Sequence, residues 1–450
     1  MTEVTKSMLR RVSVVTLILI AGVAGAQQEQ APQTYDLQRV VETAVNNHSS
    51  LRVSAAEVAA AQAKTRQAAA HFRPQISGEA GYTWLEEAPS FTIPGMGTLT
   101  FGEQDNWNLA LDMKYPLSTG GKLEGMVEGA RAAVDMAEDD LQRQEQTVAI
   151  NAAQAYFRAL EARRMITVLE EQITALEEAV RVSSAMYDQE VVAKIDVLRP
   201  SVALTGAQNS LQQTRTSYNS ALAALAEAMG LPPGTPLQIE ESESEHASTG
   251  SPDEAWEAAW NLRPEVAKLD ARMRAARAQL RIARSQNRPQ VGLWARSEFE
   301  RQTFYPETGT LSAGVMVTQN ISDGGAASAA ADEARARLEQ LEAADEQLRY
   351  GIAVQVQVAI GEIQSAQERV DTTASAVELA REALRLAQVG YQNGVTPMLD
   401  LLQAQAALTK ALMDHEGALS ALRQAYANFD YAMGYVVGER SEPAPPAQEQ

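Results

Sequence analysis

The sequence predicts an α+β membrane protein: amphipathic β-strands joined to very long helices, the whole arrangement occurring twice in the chain. Three observations carry this. First, Trp107, Leu109, Leu111, Met113 and Tyr115 alternate with Asn106, Asn108, Ala110, Asp112 and Lys114, a period of two that gives a strand one apolar and one polar face. Leu311, Ala313, Val315 and Val317 alternate in the same way with Ser312, Gly314, Met316 and Thr318. Second, each strand runs into a polar-Gly-Gly hinge, Ser118-Thr119-Gly120-Gly121 and Ser322-Asp323-Gly324-Gly325. Third, beyond each hinge the apolar period becomes helical for some 65 residues, far longer than a globular domain needs.

The two hinges lie 204 residues apart (325 − 121), and the offset persists downstream. Tyr187 falls on Tyr391, Val191 on Val395, Asp196 on Asp400, Leu198 on Leu402, and Ala228-Met229-Gly230 on Ala432-Met433-Gly434. Upstream, Arg73-Pro74-Gln75-Ile76 matches Arg288-Pro289-Gln290-Val291 at an offset of 215, so the first half carries 11 extra residues (215 − 204) between its strands. A period near 200 residues is too long for a solenoid unit. It marks an internal two-fold repeat, 27–230 and 253–435, with a linker at 231–252.

The elements follow in order. Lys6, Arg10 and Arg11, the apolar run 12–23 and the small residues Ala24-Gly25-Ala26 read as a secretory signal peptide over 1–26. A helix is expected over about 36–70 and again over about 253–285, each stopped by Arg-Pro because proline disfavours helix in the residue before it. A strand follows, with Ile76, Gly78, Ala80, Tyr82 and Trp84 outward, echoed by Val291, Leu293, Ala295 and Phe299. The loop to the next strand is long in the first half (85–105) and short in the second (301–309). Its length and its Pro89, Pro94, Gly95 and Gly97 suit the extracellular side of a barrel. After the hinge a helix is expected over about 122–187, echoed at 326–391, roughly 100 Å long at 1.5 Å per residue. Ile166, Leu169, Ile173, Leu176 and Val180 form a coiled-coil seam, and Val377, Leu384 and Tyr391 step by seven. Breaks at Glu190-Val191 and Gly394-Val395 turn the chain into shorter helices, 196–229 and 400–433. The Pro-rich tail, 436–450, is expected to be disordered.

Composition narrows the function. The formal charge of −20 argues against nucleic acid as a partner. With no cysteine there are no disulfides, no thiolate metal site and no lipidated N-terminal Cys. His48, His71, His246 and His415 lie at no metal-ligand spacing, and the Gly-Gly hinges lack the other glycines of a nucleotide loop. No nucleophile has a base beside it. The reading is a protein without catalytic, cofactor or metal residues.

Strands of about ten residues with an apolar outer face match a tilted bilayer crossing. Backbone groups in lipid must all be paired, and bacterial barrels begin at eight strands. Four strands per chain therefore require pooling between copies, two giving eight or three giving twelve. The opposite faces carry Glu79, Thr83, Asn108, Asp112, Lys114, Arg296, Glu298 and Glu300, a lining suited to a water-filled lumen. The rival reading is a structural coiled-coil envelope protein without a pore.

These features together resemble the TolC-type outer-membrane efflux proteins over nearly all of the mature sequence. The resemblance rests on the two-fold repeat, the Arg-Pro helix ends, Pro116-Leu117-Ser118-Thr119-Gly120-Gly121, and the segment from Tyr391 through Gly394 to Asp400 and Leu402. It implies a homotrimer in the outer membrane, a 12-stranded β-barrel continuous with a long periplasmic α-helical barrel. It also implies docking to a periplasmic adaptor protein and an inner-membrane transporter, without chemistry of its own. The adaptor-contact tips would be Glu190, Val191, Gly394 and Val395, with Glu190 where the family usually has glycine. At the periplasmic gate, Asp196 and Tyr391 match a pair that links neighbouring helices. Asp400 matches the first of two inward aspartates, Gln403 stands where the second would be, and Thr396 stands where some members have arginine.

Overall fold

The computed structural model describes residues 33–88, 90–100, 104–241, 251–301 and 308–437. The expected signal peptide, much of the linker and the C-terminal tail from 438 on lie outside the described residues, as does the Glu300 side chain; Val437, placed by the sequence in a disordered tail, is instead buried in the first apolar core. Along the chain run β1 (Gln33–Tyr35), α1 (Leu37–Asn47), α2 (Ser49–Ala70), β2 (Gln75–Trp84), β3 (Ser90–Ile93), β4 (Gly97–Thr100), β5 (Asp105–Ser118), α3 (Lys122–Asp188), α4 (Lys194–Ala228) and β6 (Leu237–Ile239). Then come α5 (Pro252–Leu262), α6 (Pro264–Ser285), β7 (Gln290–Arg301), β8 (Thr308–Thr318), α7 (Ala326–Gln392) and α8 (Met398–Met433).

The period-two segments form one antiparallel sheet in the order β2-β5-β7-β8. Its register carries the alternation across all four strands. Leu109 pairs with Ala80 on one side and Phe299 on the other, and Ala295 pairs with Met113 and Ala313. One face therefore collects Ile76, Trp84, Trp107, Leu109, Leu111, Leu311, Val315 and Val317, all exposed. The Tyr82 and Trp107 rings pack at a tilt, centroids 4.9 Å apart, near one end of the sheet, where Tyr82 also bonds Asp105. The other face is polar: Arg296 lies 3.6 Å from Asp112 and 2.9 Å from Glu298. β2 and β8 are open edges within the chain.

Among the described residues no helix is long and apolar enough to cross a membrane. The two rods, α3 and α7, have 67 residues each, roughly 100 Å at 1.5 Å per residue. Leu169, Leu176 and Ser183 on α3 and Val377, Leu384 and Tyr391 on α7, at steps of seven, are buried. α4 packs along α3 and α8 along α7. α2 lies beside the first part of α3, where Thr65 Oγ1 donates to the Ala130 carbonyl at 3.0 Å. The shorter helices thus stack end to end beside each rod. Their ends nearly touch: a Cβ on Gly230 would lie 2.9 Å from the Asn47–His48 backbone, and one on Gly434 3.1 Å from that of Leu262. The two apolar cores gather at these joints. One joins Val40, Ala44, Tyr156, Phe157, Leu225 and Met229, the other Ala259, Ile352, Val356, Phe429 and Met433.

Three further expectations need correction. The helix expected over 36–70 is two helices, because His48 is extended (ψ 128) and its Nδ1 accepts from Ser50 N at 3.3 Å to start a new one. The helix expected over 253–285 is also two, because Pro264 holds Arg263 extended (ψ 127). The long loop contains a hairpin of its own, β3 with β4, pairing Phe91 with Leu99. The linker, too, is tied down where it is described. β6 pairs in parallel with β1, Tyr156 Oη donates to the Glu240 carbonyl at 2.5 Å, and Arg164 and Arg423 both pair with Glu241.

The hinges turn strand into helix by the same device. Gly120 and Gly121 have φ 66 and 100, and Gly324 and Gly325 have φ 66 and 92, values that only glycine adopts freely. Thr119 Oγ1 accepts from Leu123 N at 3.1 Å. Asp323, at the corresponding place, accepts from Ala327 N at 2.8 Å and Gly325 N at 3.0 Å. Those N–H groups, Ala327 first, hold the Asp323 carboxyl below the usual carboxylate range. Its stabilising contribution is full above the unfolded-state pKa of about 3.9 and is lost as pH falls through the depressed folded-state value. The stability gap between the wild type and Asp323→Ala, followed by thermal unfolding in detergent, should therefore hold steady from neutral pH to about 5 and close only in stronger acid.

Candidate functional site

The candidate site lies where the rods turn, at the ends farthest along α3 and α7 from the hinges. α3 ends with Gln189 as its C-cap and α7 with Asn393. At the first turn Glu190 N donates to the Tyr187 carbonyl at 2.9 Å and Val191 N to Met186 at 2.9 Å. At the second, Gly394 N donates to Tyr391 at 3.0 Å and Val395 N to Gly390 at 2.8 Å. Both are Schellman caps, which satisfy the last helical carbonyls and require a left-handed residue after the C-cap. Gly394 supplies it at φ 72, and Glu190 supplies it at φ 60. Among the described residues Glu190 is the only non-glycine with positive φ, a conformation costing an L side chain roughly 1 kcal/mol. Val191 and Val395, next in each turn, are 67% and 80% exposed.

The returning helices start just beyond. Asp196 and Asp400 occupy the first turns of α4 and α8, where the helix dipole favours a carboxylate. Asp196 lies 3.9 Å from Arg199. Four residues after Asp196 comes Pro200, buried inside α4, which has no N–H to give the Asp196 carbonyl. Asp400 is exposed, and Gln403, three residues on and so on the same helix face, is exposed with it.

Tyr391 is buried and its hydroxyl has no hydrogen-bond partner. Burial, and next the charge of Asp196, raise its pKa. Asp196 thus stands near Tyr391 without bonding it. Thr396 folds back on the end of α7: its N–H donates to the Gly390 carbonyl at 3.1 Å, and a Cβ on Gly390 would lie 2.1 Å from Thr396 Oγ1. The structure seats Thr396 against the end of α7 that carries Tyr391 and leaves Asp400 and Gln403 on an exposed face. Gly390, the seat of Thr396, and Pro200, which interrupts the bonding of the first turn of α4, are not among the residues singled out from the sequence. Pro200, four residues after Asp196, was the available signal; nothing local marks Gly390 as the seat of Thr396.

Gly390→Ala should displace Thr396 and loosen the second turn, at a cost of about 1–3 kcal/mol for an overpacked contact. Faster amide exchange at Val395 and Thr396, with the rest of α7 unchanged, is the measurement that checks it.

The family model described as "Outer membrane efflux protein" matches residues 40–231 and 256–435. The pyoverdine export outer membrane protein OpmQ of Pseudomonas putida is 22% identical over 391 residues, 84% of this chain and 81% of that protein. The toluene efflux pump outer membrane protein TtgC of Pseudomonas putida is 21% identical over 405 residues, 87% of this chain and 81% of its own length. Among solved structures, the outer-membrane channel OprN superposes with a TM-score of 0.76 at 22% identity, covering 88% of this chain and 89% of that one. CusC gives 0.78 at 18% identity, covering 91% and 96%. The two matched segments take in the rods, the turns and the returning helices of both halves, and the chain belongs to the family of outer membrane efflux proteins, channel proteins of the outer membrane that extend into the periplasm.

Proposed function

We propose that three copies of this chain form the exit duct of a tripartite efflux or type I secretion system, passing cargo from an inner-membrane transporter and a periplasmic adaptor to the exterior. The observation that carries this is the four-stranded sheet with an exposed apolar face and two open edges. An open edge in lipid leaves backbone groups unpaired, so β8 of one copy takes β2 of the next. Three copies close twelve strands, and the rods beneath them line a tunnel. The curated relatives named for pyoverdine export and toluene efflux support small organic molecules as the cargo class.

The halves 27–230 and 253–435, joined by 231–252, are read as two copies of one unit. In support, the caps at Thr119 and Asp323, the turns at Glu190 and Gly394 and the helix-end contacts at Gly230 and Gly434 recur at an offset of 204 (323 − 119). The β5–β7 pairing between halves then serves as a template for the pairing between copies. Leu111 lies opposite Ser297; the offsets of 204 and 215 carry this to Val315 opposite Tyr82 of the next copy (111 + 204, 297 − 215). The hinges point the same way. A Cβ on Gly120 would lie 2.6 Å from Arg288 Cβ, whereas Gly324 has nothing within 4 Å in its own chain. Arg73 of a neighbour (288 − 215) would fill that place.

At the periplasmic end, Glu190, Val191, Gly394 and Val395 are the tips that meet the adaptor, and Asp196, Tyr391, Thr396, Asp400 and Gln403 form the gate. Asp400 with Gln403 gives an entrance of three carboxylates in a trimer. No observation favours the pore-free coiled coil, which leaves the apolar sheet face without a role.

Two measurements test this reading. Since the native chain has no cysteine, Val315→Cys with Tyr82→Cys should yield a disulfide ladder ending at three chains and ion conductance in planar bilayers. A ladder ending at two, or no conductance, would refute the trimeric duct. Asp400→Asn should lower cation selectivity and weaken block by multivalent cations, because carboxylates held together at a constriction draw counter-ions. Unchanged selectivity would place the entrance elsewhere.

A further inference from the structure

The two turns share one backbone geometry but not one chemistry. A left-handed position after a helix is filled at least strain by glycine, or by a short side chain that bonds its own backbone. Gly394 follows this rule and Glu190 does not. The Glu190 side chain is exposed and makes no hydrogen bond or ion pair among the described residues, so nothing within the chain offsets the strain. The turn would form more readily with glycine. Backbone strain of this kind concentrates at functional sites, and this carboxylate has no function inside its own chain.

Its surroundings say what it suits. Asp188 lies two residues before it and the exposed Val191 directly after it, at the end of the rod. The second turn, Gln392-Asn393-Gly394-Val395-Thr396-Pro397, carries no charge. A carboxylate beside an apolar shoulder fits a lysine or arginine whose methylenes cover the valine while its charged head meets the acid. We infer that Glu190 is a specificity-determining residue: it offers its carboxylate to a basic side chain at the tip of the periplasmic adaptor and so selects which adaptor docks. Charges at such a contact sort partners more than they add affinity. The inference rests on the tip-docking reading above.

The test uses the full-length chain with its own adaptor and transporter, in cells lacking other channels of the family. Accumulation of an exported fluorescent dye is followed, with channel amount and assembly measured in the same membranes. Glu190→Gly and Glu190→Gln should each cut export roughly tenfold, although the glycine variant has the better turn and should show slower amide exchange at Val191. Glu190→Lys should abolish export, and an adaptor whose basic tip residue is changed to glutamate should restore it. Wild-type export by Glu190→Gly, or failure of every charge-swapped adaptor to rescue Glu190→Lys, would overturn the inference. Gly394→Trp separates the two levels. If it blocks export while Glu190→Gly exports normally, only the recognition role falls; if both export normally, tip docking falls as well.

Discussion

The unpaired backbone at the two edges of the sheet governs the rest of the structure. Water satisfies an open strand edge, but lipid offers neither donor nor acceptor. Here the exposed face of β2, β5, β7 and β8 is apolar along its length, from Ile76 and Trp84 to Val315 and Val317. A sheet with such a face belongs in lipid, and its β2 and β8 edges then have to be paired by something outside the chain. In the trimeric duct proposed above, further copies would meet that demand and the polar face with Asp112, Arg296 and Glu298 would be the lining.

The second constraint is the passage from a period of two to a period of 3.6 without exposing helix-end groups. The hinges solve it twice with different side chains. A threonine hydroxyl caps α3 and an aspartate carboxylate caps α7, each bonding the amide four residues on. The glycine pairs bend the backbone in the same way at both. At the far ends the solution is again shared in geometry and not in residue, with Glu190 and Gly394 in one conformation. Where backbone bonding sets the requirement, side-chain identity can vary and the shape persists.

Between these ends the rods are held by small residues. Away from the joints, Ala132 on α3 and Ala327, Ala331 and Ala334 on α7 are buried, and small side chains there let neighbouring helices approach closely. At the joints where the shorter helices meet end to end, Tyr156 and Phe429 pack among further alanines. Aromatic residues are only 5% of the chain, and long stretches of rod rely on regular seams such as Val377, Leu384 and Tyr391.

Elements whose signal is periodic or marked by glycine and proline are legible in the amino-acid order alone. The strands at Trp107 and Leu311, both hinges, the 67-residue rods and the turns at Glu190 and Gly394 all follow from local pattern, because backbone hydrogen bonding there is local. Features that depend on contact between distant segments are visible only in the folded chain. His48 splits the first helix as the end of α4 closes on it, and Tyr156 and Arg163 draw the linker onto α3. The strand order β2-β5-β7-β8 puts the two halves of the chain side by side. The same holds at the site. The breaks are legible, and the pairing of Asp196 with Tyr391 is implied by the resemblance, but the seating of Thr396 on Gly390 and the unbonded Tyr391 hydroxyl are not. Those contacts depend on how the chain folds back at each turn and on which rods lie together, and spacing along the chain carries neither.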